Sequence, residues 1–145
     1  MNRHFVEMLH ALSDAGAKFL VVGAQALAAH GYVRATKDLD IWIAPTEENA
    51  KRVWEALANF GAPLQQLTKS DLMTPGTIFQ IGIDPSRIDI ITDIGIDWTR
   101  AWANRVVQRM DDMDVPSLGK DELIEAKRLA GRPEDLRDIE ILQRQ

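Results

Sequence analysis

Residues 37–43 read Lys-Asp-Leu-Asp-Ile-Trp-Ile, and this stretch decides how the rest of the chain is interpreted. Side chains along a strand point alternately to its two faces, so the segment predicts a strand with Asp38 and Asp40 on one face. The other face carries three aliphatic residues for the core: Leu39, Ile41 and Ile43. Neighbouring carboxylates on one strand repel each other, and removing them from water costs free energy. A chain that keeps them in an apolar strand is expected to supply a compensating cation.

A second segment repeats this pattern. Residues 87–91 read Arg-Ile-Asp-Ile-Ile, in which Asp89 lies between two isoleucines that face the opposite way. On a neighbouring strand, Asp89 would complete a cluster of three carboxylates with Asp38 and Asp40. Mg²⁺ prefers oxygen ligands, and two such ions held by shared carboxylates can activate an attacking oxygen and stabilise a leaving one. The alternative is that these acids only form the solvent-facing side of two strands.

The residues around the first acidic strand indicate a phosphate site. Gly23-Ala24 lies at a predicted strand-to-helix junction, where backbone N–H groups can bind phosphate. Arg34 and Lys37 add positive charge beside the carboxylates, although Lys37 is more simply explained as a solvated neighbour. Exposed amides, cations and metal ligands are together the components of a triphosphate site. Arg87 shares a face with Asp89 and is interpreted as its ion-pair partner.

Hydrophobic periodicity and turn residues predict the remaining elements. Helices are predicted over 3–16, 24–30, 47–60, 97–104, 120–130 and 134–144, and strands over 18–22, 37–43, 78–83, 87–92 and 106–110. Residues 115–118 are predicted as a short edge segment, because proline is tolerated at sheet edges, and residues 62–76 as a loop. This order predicts an α+β fold, with a mixed sheet flanked by helices and a helical C-terminus.

Composition limits the classes of protein to consider. The 145 residues fit a single domain over 1–145, with a core at about 17–118 and C-terminal helices at about 120–144. The net charge of −5 disfavours a protein that coats nucleic acid with its whole surface. With no cysteine, the chain has no disulfide, zinc-thiolate site or cysteine nucleophile. A cytoplasmic location without a membrane partner is expected, since the sequence has neither a signal-peptide core nor a long apolar run.

The motifs together resemble a known family. The run Phe-Leu-Val-Val-Gly-Ala-Gln-Ala-Leu-Ala-Ala-His-Gly over 19–31, followed by Arg-Ala-Thr-Lys-Asp-Leu-Asp-Ile-Trp over 34–42, resembles minimal nucleotidyltransferases of the polymerase-beta-like superfamily. The bacterial group related to AbiEii-type toxins and lincosamide nucleotidyltransferases is the most similar, and residues 87–92, with the third carboxylate Asp89, and 115–142 also match it. The family has Gly-Gly or Gly-Ser where this chain has Gly23-Ala24. A serine hydroxyl is therefore absent, while the Ala24 amide can still donate to phosphate.

The resemblance implies a nucleotidyltransferase fold and an activity. A nucleoside monophosphate would move from Mg-NTP to an acceptor hydroxyl on RNA, protein or a small molecule, with release of pyrophosphate. It implies catalytic and metal-binding roles, with Mg²⁺ or Mn²⁺, for Asp38, Asp40 and Asp89. It implies nucleotide binding by Gly23, Ala24, Arg34 and Lys127.

Two further interpretations accompany the resemblance. The alternative function is a non-catalytic regulatory or binding module, for example a toxin–antitoxin component that acts through a partner protein. Because the chain is short, a homodimer or a partner protein could supply the acceptor surface. Asp135 and Asp138 are predicted in the first turn of the last helix, where carboxylates interact favourably with the helix dipole. A contact from Asp135 to Arg132 or Lys127 is the functional alternative.

Overall fold

The computed structural model describes residues 1–144. Its helices are α1 (Arg3–Asp14), α2 (Gly23–Ala28), α3 (Glu47–Phe60), α4 (Trp98–Ala103), α5 (Lys120–Ala130) and α6 (Pro133–Gln143), with a 3₁₀ turn at Asp71–Met73. Its strands are β1 (Phe19–Val22), β2 (Asp38–Ile43), β3 (Ile78–Ile81), β4 (Arg87–Ile91), β5 (Val106–Met110) and β6 (Met113–Ser117). Every predicted helix and strand is present. None of the helices in this range is long and apolar enough to cross a membrane.

The strands form a mixed six-stranded sheet in the order β3-β4-β2-β1-β6-β5. β2 is parallel to β4 and β1 is parallel to β6, whereas β1–β2, β3–β4 and β5–β6 are antiparallel pairs. Helices pack on both faces of this sheet. The predicted α+β fold, a mixed sheet flanked by helices, is therefore confirmed.

One face of the sheet carries the larger part of the core. Leu39, Ile41 and Ile43 of β2 are fully buried there, as their alternation predicts. They pack with isoleucines of β4 and with apolar residues of α1 and α3, including Ile88, Ile90, Phe5, Leu9, Val53 and Leu57. Burying one aliphatic side chain contributes about 1.5–3 kcal/mol. This cluster therefore fixes which side chains of β2 and β4 must point the other way.

The opposite face is divided between apolar packing and acidic residues. A smaller cluster there joins the sheet to α2, α5 and α6, and includes Leu20, Trp42, Leu27, Leu123 and Leu142. Trp42 is buried and its ring N–H donates to the Thr92 carbonyl at 3.3 Å. Asp38 and Asp40 share this face because they alternate with the aliphatic residues. They lie where β2 begins, beyond the apolar cluster.

Two local predictions are corrected by the sheet and its packing. Residues 115–118 do not form an edge, since β6 lies between β1 and β5. β1 pairs with β6 only at Val21 and Ser117, so the strand that contains Pro116 needs no long ladder on that side. The predicted loop over 62–76 contains the 3₁₀ turn and buries Leu67 and Leu72, which attach it to the core.

Candidate active site

The parallel pairing of β2 with β4 brings the three predicted carboxylates together. Its register places Asp40 opposite Asp89, and Asp38 opposite Arg87. Asp38 and Asp40 are half-buried, and the Asp89 side chain is 13% exposed. We call this group, formed by Asp38, Asp40 and Asp89, the carboxylate wall. All three acids stand on the sheet face that the main core leaves free.

Gly23 lies against the carboxylate wall. The preceding residue, Val22, pairs with Asp40 across the antiparallel β1–β2 ladder. A Cβ on Gly23 would overlap an Asp40 carboxylate oxygen and lie 3.2 Å from the Asp40 Cγ. Its φ of +69° is also in the left-handed region, which glycine adopts without steric cost. Glycine is therefore required here twice, by the backbone turn into α2 and by the space that Asp40 occupies.

Asp38 and Asp40 of this wall resist ionisation. Burial raises the pKa of Asp40 to about 6, and the negative charges of Asp89 and Asp38 add to the effect. Burial also raises the pKa of Asp38, and Arg87 offsets only part of this increase. Carboxylates whose charged form is disfavoured by burial and by like charges are stabilised by any cation that reaches them. Such perturbed groups in a cleft are typical of functional sites.

Arg87 is the cation that touches this wall. Its Nη2 lies 2.9 Å from Asp38 Oδ2 and 3.4 Å from Asp89 Oδ2. The prediction that Arg87 pairs with Asp89 is therefore incomplete, because its closer partner is Asp38. The cause is the register, which sets Arg87 directly opposite Asp38 on the neighbouring strand.

A second group of charges faces the carboxylates from the C-terminal helices. Lys127 is buried, and its Nζ donates to Asp138 Oδ2 at 2.8 Å. The Arg34 Nη2 donates to the other oxygen of Asp138 at 2.5 Å. Burial alone would raise the pKa of Asp138, but hydrogen bonds from Lys127 and Arg34 hold it below its usual value. Asp138 therefore bridges two cations that were predicted separately as nucleotide-binding residues.

The placement of Asp138 differs from its prediction. α6 begins at Pro133, so Asp138 lies in its second turn rather than its first. Its partners are side chains, and the dipole interpretation is wrong for this residue. Asp135 does lie in the first turn, where its Oδ2 accepts from the Arg132 backbone N–H at 3.1 Å. The Arg132 side chain also donates to Asp135 at 2.7 Å, and these hydrogen bonds lower the pKa of that carboxyl.

Arg132 was predicted only as an alternative partner of Asp135, a contact that the structure confirms, and not as a residue that lines the site. Its side chain is 65% exposed and lines the same cleft as Arg34 and Lys127. We call these three residues, Arg34, Lys127 and Arg132, the cation wall. The available signal was the Gly-Arg-Pro sequence before the last helix, which places an arginine at the N-cap of α6.

The two walls line one cleft of about 710 Å³, a volume typical of small-molecule sites. All the residues with a predicted site role line it: Gly23, Ala24, Arg34, Asp38, Asp40, Asp89 and Lys127. Aliphatic side chains complete the lining, among them Ile78, Ile91, Ile94 and Leu129. The structure thus brings the predicted residues together, while their chemical roles remain predictions.

The donor set of the carboxylate wall suits a hard divalent cation such as Mg²⁺. Asp38 Oδ1 and Asp89 Oδ1 are buried, and within the described chain neither accepts a hydrogen bond. Buried oxygens without partners are what an absent ion would explain. Over residues 1–144, however, no three acidic, histidine or cysteine side chains are grouped closely enough to hold a metal without rearrangement. The residues fit a metal in chemistry, and Arg87 bridges two of them in this structure.

Comparison with known proteins places the fold. The chain is similar to the crystal structure of a "putative nucleotidyltransferase (TM1012)" from Thermotoga maritima, with a TM-score of 0.62 and 16% sequence identity. The similarity covers 99% of this chain and 96% of that one. No protein-family model matches the sequence, and no curated protein does. The likeness shows that the chain has the fold of that protein, as the sequence resemblance implied.

Proposed function

We propose that this chain is a metal-dependent nucleotidyltransferase, which moves a nucleoside monophosphate from Mg-NTP to an acceptor hydroxyl. The main support is the β2–β4 register, which sets Asp40 opposite Asp89 and beside Asp38 in a cleft of about 710 Å³. The cation wall faces these acids from α5, the N-cap of α6 and the segment before β2. A cleft with metal-ligating oxygens on one side and cations on the other suits a triphosphate.

The proposed roles follow from the side-chain chemistry. Asp38, Asp40 and Asp89 would hold Mg²⁺ or Mn²⁺, which supplies positive charge to the triphosphate and makes the acceptor oxygen more nucleophilic. Arg34 and Lys127 would bind the non-transferred phosphates. The amides of Gly23 and Ala24, at the start of α2, would contribute further donors.

The proposed transfer is a single displacement at the α-phosphorus. The acceptor oxygen forms a bond to the α-phosphorus of the NTP, and the bond from that phosphorus to the bridging oxygen breaks. The acceptor proton passes to a carboxylate of the site, for which Asp89 is the candidate base. Pyrophosphate leaves with the electron pair of the broken bond, and its charge is stabilised by Arg34 and Lys127.

The acceptor is open to RNA, protein and small molecules. The sequence resemblance to AbiEii-type toxins and lincosamide nucleotidyltransferases includes more than one of these classes. A second copy of the chain or a partner protein would extend the acceptor surface. A function in a toxin–antitoxin pair is compatible with either arrangement.

Label transfer tests the activity directly. The protein is incubated with Mg²⁺ and α-³²P-labelled NTPs, together with total RNA, a protein lysate or a panel of small-molecule alcohols. We expect label on one acceptor class and stoichiometric pyrophosphate from wild type, and neither from Asp40→Asn. Asp111→Asn is the matched control, because Asp111 is an exposed turn residue with φ 57°, which asparagine also adopts. Equal labelling by Asp40→Asn would contradict the proposal.

The second candidate function is a non-catalytic nucleotidyltransferase-fold module. One observation favours it: Arg87 already neutralises part of the carboxylate wall, so these acids do not need a metal to remain in the folded protein. This candidate predicts that the protein binds an NTP with no label transfer and no pyrophosphate under any acceptor condition. Calorimetry with each NTP, with and without Mg²⁺, separates binding from turnover.

A further inference from the structure

The contact between Arg87 and the carboxylate wall is unusual for an ion pair that only supports the fold. An arginine normally meets carboxylates with its fork, through two parallel N–H bonds. Here a single nitrogen, Nη2, serves both Asp38 and Asp89. The Arg87 Nε is buried and, among residues 1–144, has no hydrogen-bond partner.

Like the arginine, Asp38 and Asp89 each keep a buried polar atom without a hydrogen-bond partner among the described residues. Each of Asp38 and Asp89 offers Arg87 its Oδ2, while its Oδ1 is buried with no donor from the described residues. Asp40 stands opposite Asp89, outside the ion pairs that Arg87 makes. Buried polar atoms without partners are costly and rare. One side chain therefore contacts two of the three acids without satisfying either, in the space where a cation with more coordination positions would satisfy them better.

We propose that Arg87 is an internal cation that occupies the carboxylate wall in the metal-free protein and that a divalent metal must displace. This inference rests on the proposed function only for the statement that the wall binds metal. The Arg87 side chain is 33% exposed, so it borders the open cleft and has room to leave Asp38. Arg87 thereby lowers the affinity of the free protein for metal, in return for a stable metal-free fold.

Metal binding by neutral variants tests the displacement. Free Mn²⁺ is titrated by electron paramagnetic resonance against wild type, Arg87→Met and Arg87→Gln. We expect both variants to bind Mn²⁺ about tenfold more tightly than wild type, the scale of coupling between neighbouring charged groups. Arg87→Lys keeps the charge and should restore weak binding. Arg109→Met is the matched control, because it removes an exposed arginine that pairs with Asp114 outside the cleft.

The outcomes distinguish this inference from the proposed function. Equal or weaker Mn²⁺ binding by the neutral variants overturns the role of Arg87 and leaves the metal site intact. If no form of the protein binds Mn²⁺, the metal-dependent function itself fails, and the displacement fails with it. If Arg87→Met does not fold, Arg87→Gln still gives the answer, since its amide can donate to Asp38.

A measurement without metal tests the other half of the inference. In EDTA, Arg87→Met should melt at a lower temperature than wild type, because the acids lose their cation. In the double variant Arg87→Met with Asp38→Asn, the loss should be smaller than the sum of the two single losses. Additive losses would show that Arg87 does not stabilise Asp38 and would contradict the proposal.

Discussion

The two walls of the cleft hold similar numbers of charges in different electrostatic states. Beside the cation wall, Asp135 and Asp138 each accept hydrogen bonds from its cations, and the pKa values of both carboxyls are lowered. On the carboxylate wall, Asp38 and Asp89 share Arg87, Asp40 makes no ion pair with it, and the pKa values of Asp38 and Asp40 are raised. One wall is thus electrostatically complete and the other lacks positive charge. The incomplete wall is where a ligand can add the most stabilisation, which is why we place the chemistry there.

The largest expected effect is a loss of nucleotidyl transfer when one acid of the carboxylate wall is neutralised. Asp40→Asn should reduce nucleotidyl transfer by at least about 10²-fold, because it removes a negatively charged ligand that would hold the metal, and with it the positive charge that would stabilise the transition state. The measurement is the initial rate of pyrophosphate release at saturating Mg-NTP. Asp111→Asn should retain the wild-type rate.

The same type of substitution at Asp138, beside the cation wall, should change the free energy of unfolding. Asp138→Asn should destabilise the fold by about 1–3 kcal/mol, because the buried Lys127 loses its partner at 2.8 Å and keeps only Asp135, whose Oδ1 is 3.8 Å away. Urea unfolding in EDTA measures this change. Asp40→Asn should instead leave stability unchanged or raise it at neutral pH, since it relieves repulsion with Asp89. If both variants destabilise equally, the contrast between the walls is wrong.

A glycine pair tests how closely the fold is fitted to Asp40. Gly23→Ala should cost about 1–3 kcal/mol more than Gly16→Ala, because only the first adds a steric overlap to the backbone strain. The two residues have nearly equal φ values, +69° and +70°, and a Cβ on Gly16 would meet nothing within 4 Å in the described structure. Chemical denaturation gives the difference. Equal costs would show that Asp40 moves aside freely.

The last expected effect is a dependence of stability on pH. The folded pKa of Asp40, about 6, lies above its ordinary value of 3.8, so the folded protein binds the proton more tightly than the unfolded chain. Its contribution to stability is therefore lost as pH rises from about 4 through about 6. In EDTA, the stability of Asp40→Asn relative to wild type should increase over this interval and remain constant above it. A flat difference would mean that the Asp40 pKa is not raised.

The sequence predicted those parts of the fold and site that depend on local pattern. Alternation along 37–43 identified both the buried face of β2 and the pair Asp38 and Asp40 on the opposite face, because a strand has a fixed period of two. Gly23 was found at the strand-to-helix junction, since that turn needs a special residue. These inferences use only neighbours in the chain.

The rest depends on which segments pack together. Arg87 meets Asp38 through the β2–β4 register, which pairs strands separated by α3 and β3 and has no local signature. The bridge from Asp138 to Arg34 joins residues 104 positions apart. The internal position of β6 was missed because proline predicts an edge from its missing N–H alone. Such features follow from tertiary packing, which a single sequence does not specify by pattern.

The Asp138 bridge also sets when the cleft can form during synthesis. By Ser117 all six strands of the described sheet have been translated, so the acidic side could already be folded. Asp138 can accept hydrogen bonds from Arg34 and Lys127 only after α6, the last helix of the described chain, has left the ribosome and docked. A stalled nascent chain that ends at Arg132 is therefore expected to retain no triphosphate, whereas the full chain on a long tether should retain it. Docking of α6, rather than completion of the sheet, would then be the step that completes the cleft.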